Sequence, residues 1–374
     1  FKKRCNVMKT AALALLLLQQ SCAFAPFGVK NIRRNGVSSL SMSSALIVQN
    51  KGGGHGELGF QLAKNLSSNP KITSITILQD DACNDAKEPF ASYGSDLPSD
   101  IKIIKASLGD DSMIAEALQT ALGGDGVSFD YVWDNASKKP EGAGKAVIDC
   151  AKTWNPKLFT YVSSAGMYKP DDTTKFPMSE ADTPIKTSSG QALFDAYAVE
   201  CGLPLVSFRP QYIYGKKANK YDYVDWYFDR IVRDLPLPIP GDGTQKVSLT
   251  NSEDVASILA SVLNDEDAAI KQRFFNCGSD NIYSYDEVAQ LCATVAGKEA
   301  KIVHYDGDKF GKCAFPFRLT DFYVAPDMVK GKLGWAGAGN KLGDDMKWYY
   351  DGYKARSGDT KEVSISDDEK SACA

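Results

Sequence analysis

The sequence predicts a doubly wound α/β fold: a parallel sheet with helices on both faces, followed by a smaller C-terminal α/β cap. Two observations predict it. Apolar runs of strand length recur at 45–48, 72–78, 101–105, 129–133, 157–163 and 204–208. Amphipathic helical stretches separate several of them, as at 111–122 and 143–153. Strands that alternate with helices make a parallel sheet covered on both sides.

The elements follow in chain order. Ala45-Leu46-Ile47-Val48 reads as a strand buried on both faces, and Leu58, Phe60, Leu62, Ala63 and Leu66 then carry helical spacing. Gly53-x-x-Gly56-x-x-Gly59 lies between them. In a Rossmann-type dinucleotide site the first glycine permits the turn and the second lets backbone approach a pyrophosphate. The third lets helix pack on strand, and the helix amides face the phosphates. Asp80 and Asp81 close the second strand, Asp80 lying twenty-one residues after Gly59. A carboxylate there binds ribose hydroxyls and repels a 2′-phosphate, which favours NAD over NADP. Asp110 follows the third strand, beside an adenine or as an N-cap for 111–122. Asn135 ends the fourth and borders the ribose, and Ser164 ends the fifth.

This body is expected over 45–215. From 216 an aromatic helix leads to Pro236-Leu237-Pro238-Ile239-Pro240-Gly241. Helices near 253–264, 285–296 and 341–354 with short strands at 273–276 and 301–304 form the expected cap, 216–355. Residues 356–374 are polar without apolar periodicity and are expected as a disordered tail.

Residues 1–44 read as an address. Lys2, Lys3, Arg4 and Lys9 precede the apolar run Ala11–Leu18, and Ser21-Cys22-Ala23 gives a small-x-small cleavage signal. A basic, serine-rich stretch follows Phe24. A signal peptide joined to a transit peptide resembles the plastid address of algae with secondary plastids; plain secretion is the alternative. Removal is expected near Ala23 and then near Ser41–Ser44. Nothing after Leu18 is apolar for long enough to span a bilayer. The nine cysteines are scattered without Cys-x-x-Cys, which argues against a zinc site or a disulfide framework. Two histidines, His55 and His304, leave little for a histidine metal centre. The leader holds seven of the 43 basic residues and none of the 47 acidic ones, so residues 45–374 carry a formal charge of −11. Bulk charge therefore does not attract nucleic acid, and any RNA contact needs a local basic patch.

Ser163-Ser164-Ala165-Gly166-Met167-Tyr168, then Pro184, a helical run 187–200 and Phe208-Arg209-Pro210 resemble the frame of the extended short-chain dehydrogenases. Those enzymes open the helix after the proline with Tyr-x-x-x-Lys, the proton donor and the lysine that lowers its pKa. The aligned positions here are Thr187 and Gln191. Literal matches at Tyr212/Lys216, Tyr305/Lys309 and Tyr350/Lys354 do not follow the fifth strand on a helix.

Further segments narrow the resemblance. Asn50-Lys51-Gly52-Gly53-Gly54-His55, Ser163–Pro170, Phe208-Arg209-Pro210-Gln211-Tyr212, Trp226–Arg233, Ile302-Val303-His304-Tyr305-Asp306 and Ala314-Phe315-Pro316-Phe317-Arg318 resemble the chloroplast stem-loop binding proteins of 41 kDa. These are short-chain dehydrogenase relatives that also lack the Tyr/Lys pair. The resemblance implies a plastid protein binding stem-loop mRNA and rRNA, acting in transcript stability. It also implies association with ribosomes or the transcription complex, homo- or hetero-oligomers, and in some members a metal-dependent endoribonuclease, for which Mg is the expected ion. The segment Tyr212–Arg233 is the best RNA candidate, with Lys216, Lys217, Lys220, Arg230 and Arg233 among aromatic residues. Two readings compete with it: an NAD-dependent nucleotide-sugar epimerase, dehydratase or reductase, and a non-catalytic NAD-sensing scaffold.

Overall fold

A computed structural model describes residues 43–49, 53–108, 128–218 and 221–374. Residues 1–42 of the expected leader lie outside them, while Ser44 opens the first strand. The central sheet has seven strands: β1 Ser44–Gln49, β2 Ser74–Asp80, β3 Lys102–Ala106, β4 Tyr131–Asp134, β5 Leu158–Val162, β6 Leu205–Pro210 and β7 Phe274–Cys277. Their order is β7-β6-β5-β4-β1-β2-β3, all parallel. The chain winds from β1 outward through β2 to β3, then returns to add β4 on the other side of β1. That reversal opens a crevice above the carboxyl ends of β1 and β4, where open α/β sheets place ligands.

Both faces are covered, which explains why β1, β4 and β5 are almost wholly buried. On one face lie α1 (Gly53–Ser67), α5 (Ser252–Ala260), the short α6 (Glu266–Gln272) and α8 (Asp327–Leu333). Leu58, Leu62, Val255, Leu259 and Val329 share a single core there. On the other lie α2 (Ala143–Trp154) and α3 (Gly190–Glu200), with Val147, Ile148 and Phe194 in the second core. Each such side chain, fully buried, contributes roughly 1.5–3 kcal/mol.

The expected boundary at 215 therefore does not divide the molecule. β7 was expected in the cap, yet it hydrogen-bonds along β6, and α5 and α8 cover the first face. The cap proper packs α4 (Asp222–Ile231), α7 (Tyr285–Ala296) and α9 (Leu342–Ala355) around Tyr227, Phe228, Phe315, Phe317, Tyr349 and Tyr353. Ser284 and Glu287 form a reciprocal capping box that starts α7.

The expected disordered tail is also corrected. Residues 356–374 fold back on the cap and carry α10 (Asp367–Ala372). Glu369, 2% exposed, forms an ion pair with Arg230, 3% exposed, through Nε at 3.1 Å and through Nη2. Arg233 donates to the Gly358 carbonyl at 2.8 Å and to the Lys361 carbonyl. Charge pairing replaces the apolar face whose absence suggested disorder. Among the described residues no helix is long and apolar enough to cross a membrane.

Candidate functional site

The crevice begins at the junction of β1 and α1. Gly53 is the first residue of α1, while 50–52, the tip of the loop, lie outside the described residues. Gln49, the last residue of β1, is buried and donates its amide to the Gly56 carbonyl. A Cβ on Gly59 would lie 2.3 Å from Gln49 Oε1, so only glycine lets α1 approach the strand end this closely. The next side chain, Glu57, is fully buried. It accepts from Gln61 Nε2 and from the Lys217 backbone N–H, each at 3.0 Å. Burial pushes its carboxyl upward, against those hydrogen bonds. A Cβ on Gly215 would come within 1.8 Å of Glu57 Oε2. The glycine-loop helix is thus stapled to the 215–217 turn. Sequence reasoning did not single out Glu57; its one signal was a carboxylate among Leu58, Phe60 and Leu62, four residues before Gln61.

The expected ligand-facing residues gather around this junction. Asp80 is 7% exposed at the end of β2, and its Oδ1 accepts from Ala82 N at 3.0 Å. Asp134 is fully buried and closed on its own turn, accepting from Ala136 N, Ser137 N and Ser137 Oγ. Asn135 follows it, its N–H on the Val48 carbonyl at 2.9 Å, which ties the ends of β1 and β4. Ser164 Oγ accepts from Gly166 N at 3.0 Å and caps a short 3₁₀ turn at 165–167. Asp110 lies outside the described residues.

Beyond β5 the helix α3 starts at Gly190, capped by Ser189. Thr187 stands exposed in the preceding turn, and Gln191 in the first turn is half-buried. Behind them is a buried polar network. Tyr168 donates to Asn276 Oδ1 at 2.7 Å and accepts from Arg209 Nη1 at 3.0 Å. Glu180 accepts from Asn276 N at 2.7 Å. Arg209 is sandwiched between the Tyr168 and Phe274 rings, 5.1 and 4.7 Å from their centroids. Burial pushes the Tyr168 phenol up to about 12 and the Asp195 carboxyl up to about 6, the latter against Ser207 and Arg209. A catalytic phenol needs the opposite shift. Among the described residues every tyrosine with a displaced acidity moves upward, with burial as the largest cause. The carboxyl ends of β1 and β4 frame a place where open α/β sheets take a ligand, and Thr187 and Gln191 supply no phenol beside it.

Residues 52–278 match the model of the NAD dependent epimerase/dehydratase family. The chain belongs to that family. Over 213 residues this epimerase-family chain is 31% identical to the chloroplast stem-loop binding protein of 41 kDa b of Arabidopsis thaliana, covering 55% of this chain and 54% of that protein. Over 324 residues it is 24% identical to an Arabidopsis trifunctional UDP-glucose 4,6-dehydratase/3,5-epimerase/reductase, covering 79% of this chain and 46% of that one. The chain thus spans about half the length of these curated relatives. Among solved structures, dTDP-glucose 4,6-dehydratase of Bacillus anthracis with NAD aligns with a TM-score of 0.63 at 14% identity, over 83% of this chain and 98% of that one. UDP-glucose 4-epimerase of Thermus thermophilus with NAD gives 0.60 at 16%, over 83% and 99%. These structures share the fold.

The expected RNA residues of this family member separate. Lys216 is exposed in a turn, and Lys220 lies outside the described residues. Lys217 is held by Glu88 at 3.3 Å and Asp96 at 3.2 Å, so it is no free phosphate contact. Arg230 is buried on Glu369, with its guanidinium 3.9 Å from the Trp226 ring centroid. Arg233 is spent on the tail and on Tyr353. Sequence spacing put five cations on one segment, but it could not show that an acidic tail and an acidic turn claim three of them. Beside α4 a cavity of about 650 Å³ opens between Trp226, Tyr221, Tyr223, the 312–316 loop and Lys361. Among the described residues no three acidic, histidine or cysteine side chains gather as metal ligands.

Proposed function

We propose that this chain is a plastid RNA-binding protein built on an epimerase-family fold that no longer transfers hydride. The observation that carries the reading is Thr187 and Gln191 standing where the acid pair belongs, in a chain similar to a stem-loop binding protein. The upward-shifted tyrosines support it, because burial moves those phenols away from the lowered pKa a proton donor needs. The crevice still fits a dinucleotide: Gly59 lies tight on the strand end, and Asp80 closes β2. Gly53 would permit the turn and Gly56 would let backbone approach the pyrophosphate, Asp80 would take the ribose hydroxyls of NAD, and Asn135 would border the ribose, with Ser164 at the end of the fifth strand. Bound NAD supplies a hydride acceptor; here it serves as a structural or sensing ligand.

The same resemblance suggests the plastid stroma, and ribosomes or the transcription complex as partners. One assay tests the reading. Purified protein is titrated into labelled stem-loop RNA, then incubated with NAD and UDP-glucose. RNA retention without sugar conversion supports it; sugar conversion without RNA retention overturns it. Shortened RNA on adding Mg²⁺ would identify the endoribonuclease activity.

A further inference from the structure

We propose that the cavity beside α4 is the docking site for a single unpaired nucleotide of RNA, its base stacked among Tyr221, Tyr223 and Trp226 and its phosphate on Lys312. This rests on the RNA-binding reading and gives it a place on the molecule away from the glycine loop.

Four observations carry it. The cavity, at about 650 Å³, falls within the size range of small-ligand pockets, and its walls are aromatic. Bases of any sequence stack on such faces. The Trp226 indole N–H is buried and has no acceptor, although the ring is 7% exposed and lines the cavity. A buried donor without a partner is rare and costly. The indole is also fixed, because Arg230 covers one of its faces at 3.9 Å. A ring already held in place loses little freedom when a base stacks on it.

The third observation is Lys312. Its ammonium reaches only the Pro316 carbonyl, at 3.4 Å, and pairs with no carboxylate among the described residues. Partial desolvation of this otherwise exposed side chain, and the neighbouring Arg318, push it downward. An anion beside it would relieve both effects. The fourth is the backbone that presents it. Cys313 and Ala314 are consecutive non-glycine residues in the left-handed region, at φ 44° and 57°. Such strain concentrates where a loop is held for a ligand.

The carboxylates around the cavity do not oppose an anion as strongly as their number suggests. Asp225 is matched by Arg356 at 3.0 Å, and Asp229 by Lys361 at 2.9 Å.

The test uses the full chain and a fluorescein-labelled stem-loop RNA with 4-thiouridine in its loop. After long-wave irradiation, crosslinked peptides are mapped by mass spectrometry. Crosslinks should fall on Tyr221–Trp226 or on Phe315. Lys312→Glu and Tyr223→Ala should each weaken binding about tenfold, while Lys312→Arg should retain wild-type affinity. Lys312 is exposed, so its variants are expected to fold, which circular dichroism checks. Crosslinks confined to the glycine-loop crevice, with Lys312→Glu at full affinity, would overturn this site and leave RNA binding intact. Crosslinks here that persist when Lys312→Glu and Tyr223→Ala bind normally would also overturn it. Wild-type protein that fails to bind the RNA at low salt would overturn the RNA reading itself.

Discussion

Asp195 shows how a single buried group reports on the crevice. It lies on α3 at 5% exposure, and its carboxyl rises to about 6 because burial outweighs Ser207 and Arg209. The folded state therefore holds a proton that the unfolded chain releases at lower pH. Stability from this group is full below about pH 4 and is lost as pH rises through about 6. Wild-type protein should lose up to about 3 kcal/mol across that window, and Asp195→Asn should show a flatter profile. Urea midpoints measured from pH 4 to 7 check this; parallel profiles would place the titration elsewhere. Asp80 carries a second prediction. Asp80→Ala should weaken NAD binding by about 1–2 kcal/mol and remove any preference over NADP. Thermal shifts with each dinucleotide measure it, and an unchanged preference would exclude Asp80 from the ribose.

At the scale of elements, the strands were legible because a strand buried on both faces needs an unbroken apolar run. Ala45–Val48 supplies one, and so do the later runs. Periodicity says that a helix has a buried face but not what covers it. That is why the helix near 253–264, α5, was expected in the cap although it seals the main sheet, and α8 beside it was not singled out at all. The tail was illegible for another reason: a buried ion pair leaves no apolar pattern, only an arginine and a glutamate 139 residues apart. Breaking such a pair strands a buried charge. Glu369→Ala should cost about 3–5 kcal/mol and expose 356–374 to trypsin, whereas Arg230→Met with Glu369→Leu should be close to neutral. Urea unfolding and limited proteolysis separate the two. If Glu369→Ala matches wild type in both, the tail is not held by this pair. The candidate site divides the same way. Glycine spacing and the missing Tyr/Lys were visible in the chain, while the partners that occupy Lys217, Arg230 and Arg233 come from segments far away.

For the whole molecule, charge sets the terms. Residues 45–374 carry −11, so RNA must meet a few local cations rather than a broad basic face. With Lys217 and both arginines engaged internally, few phosphate contacts are available. Each contributes a slope of about −0.7 in log affinity against log salt for single strands. A shallow dependence, about −1 to −2, is expected for the wild type. The most direct measurement of the central claim is the equilibrium affinity of the purified full chain for a stem-loop RNA across a salt series, with NAD and UDP-glucose turnover followed in the same sample. The account predicts measurable binding with that shallow slope and no conversion of the sugar nucleotide. Steady turnover of UDP-glucose with no RNA binding at any salt would contradict it.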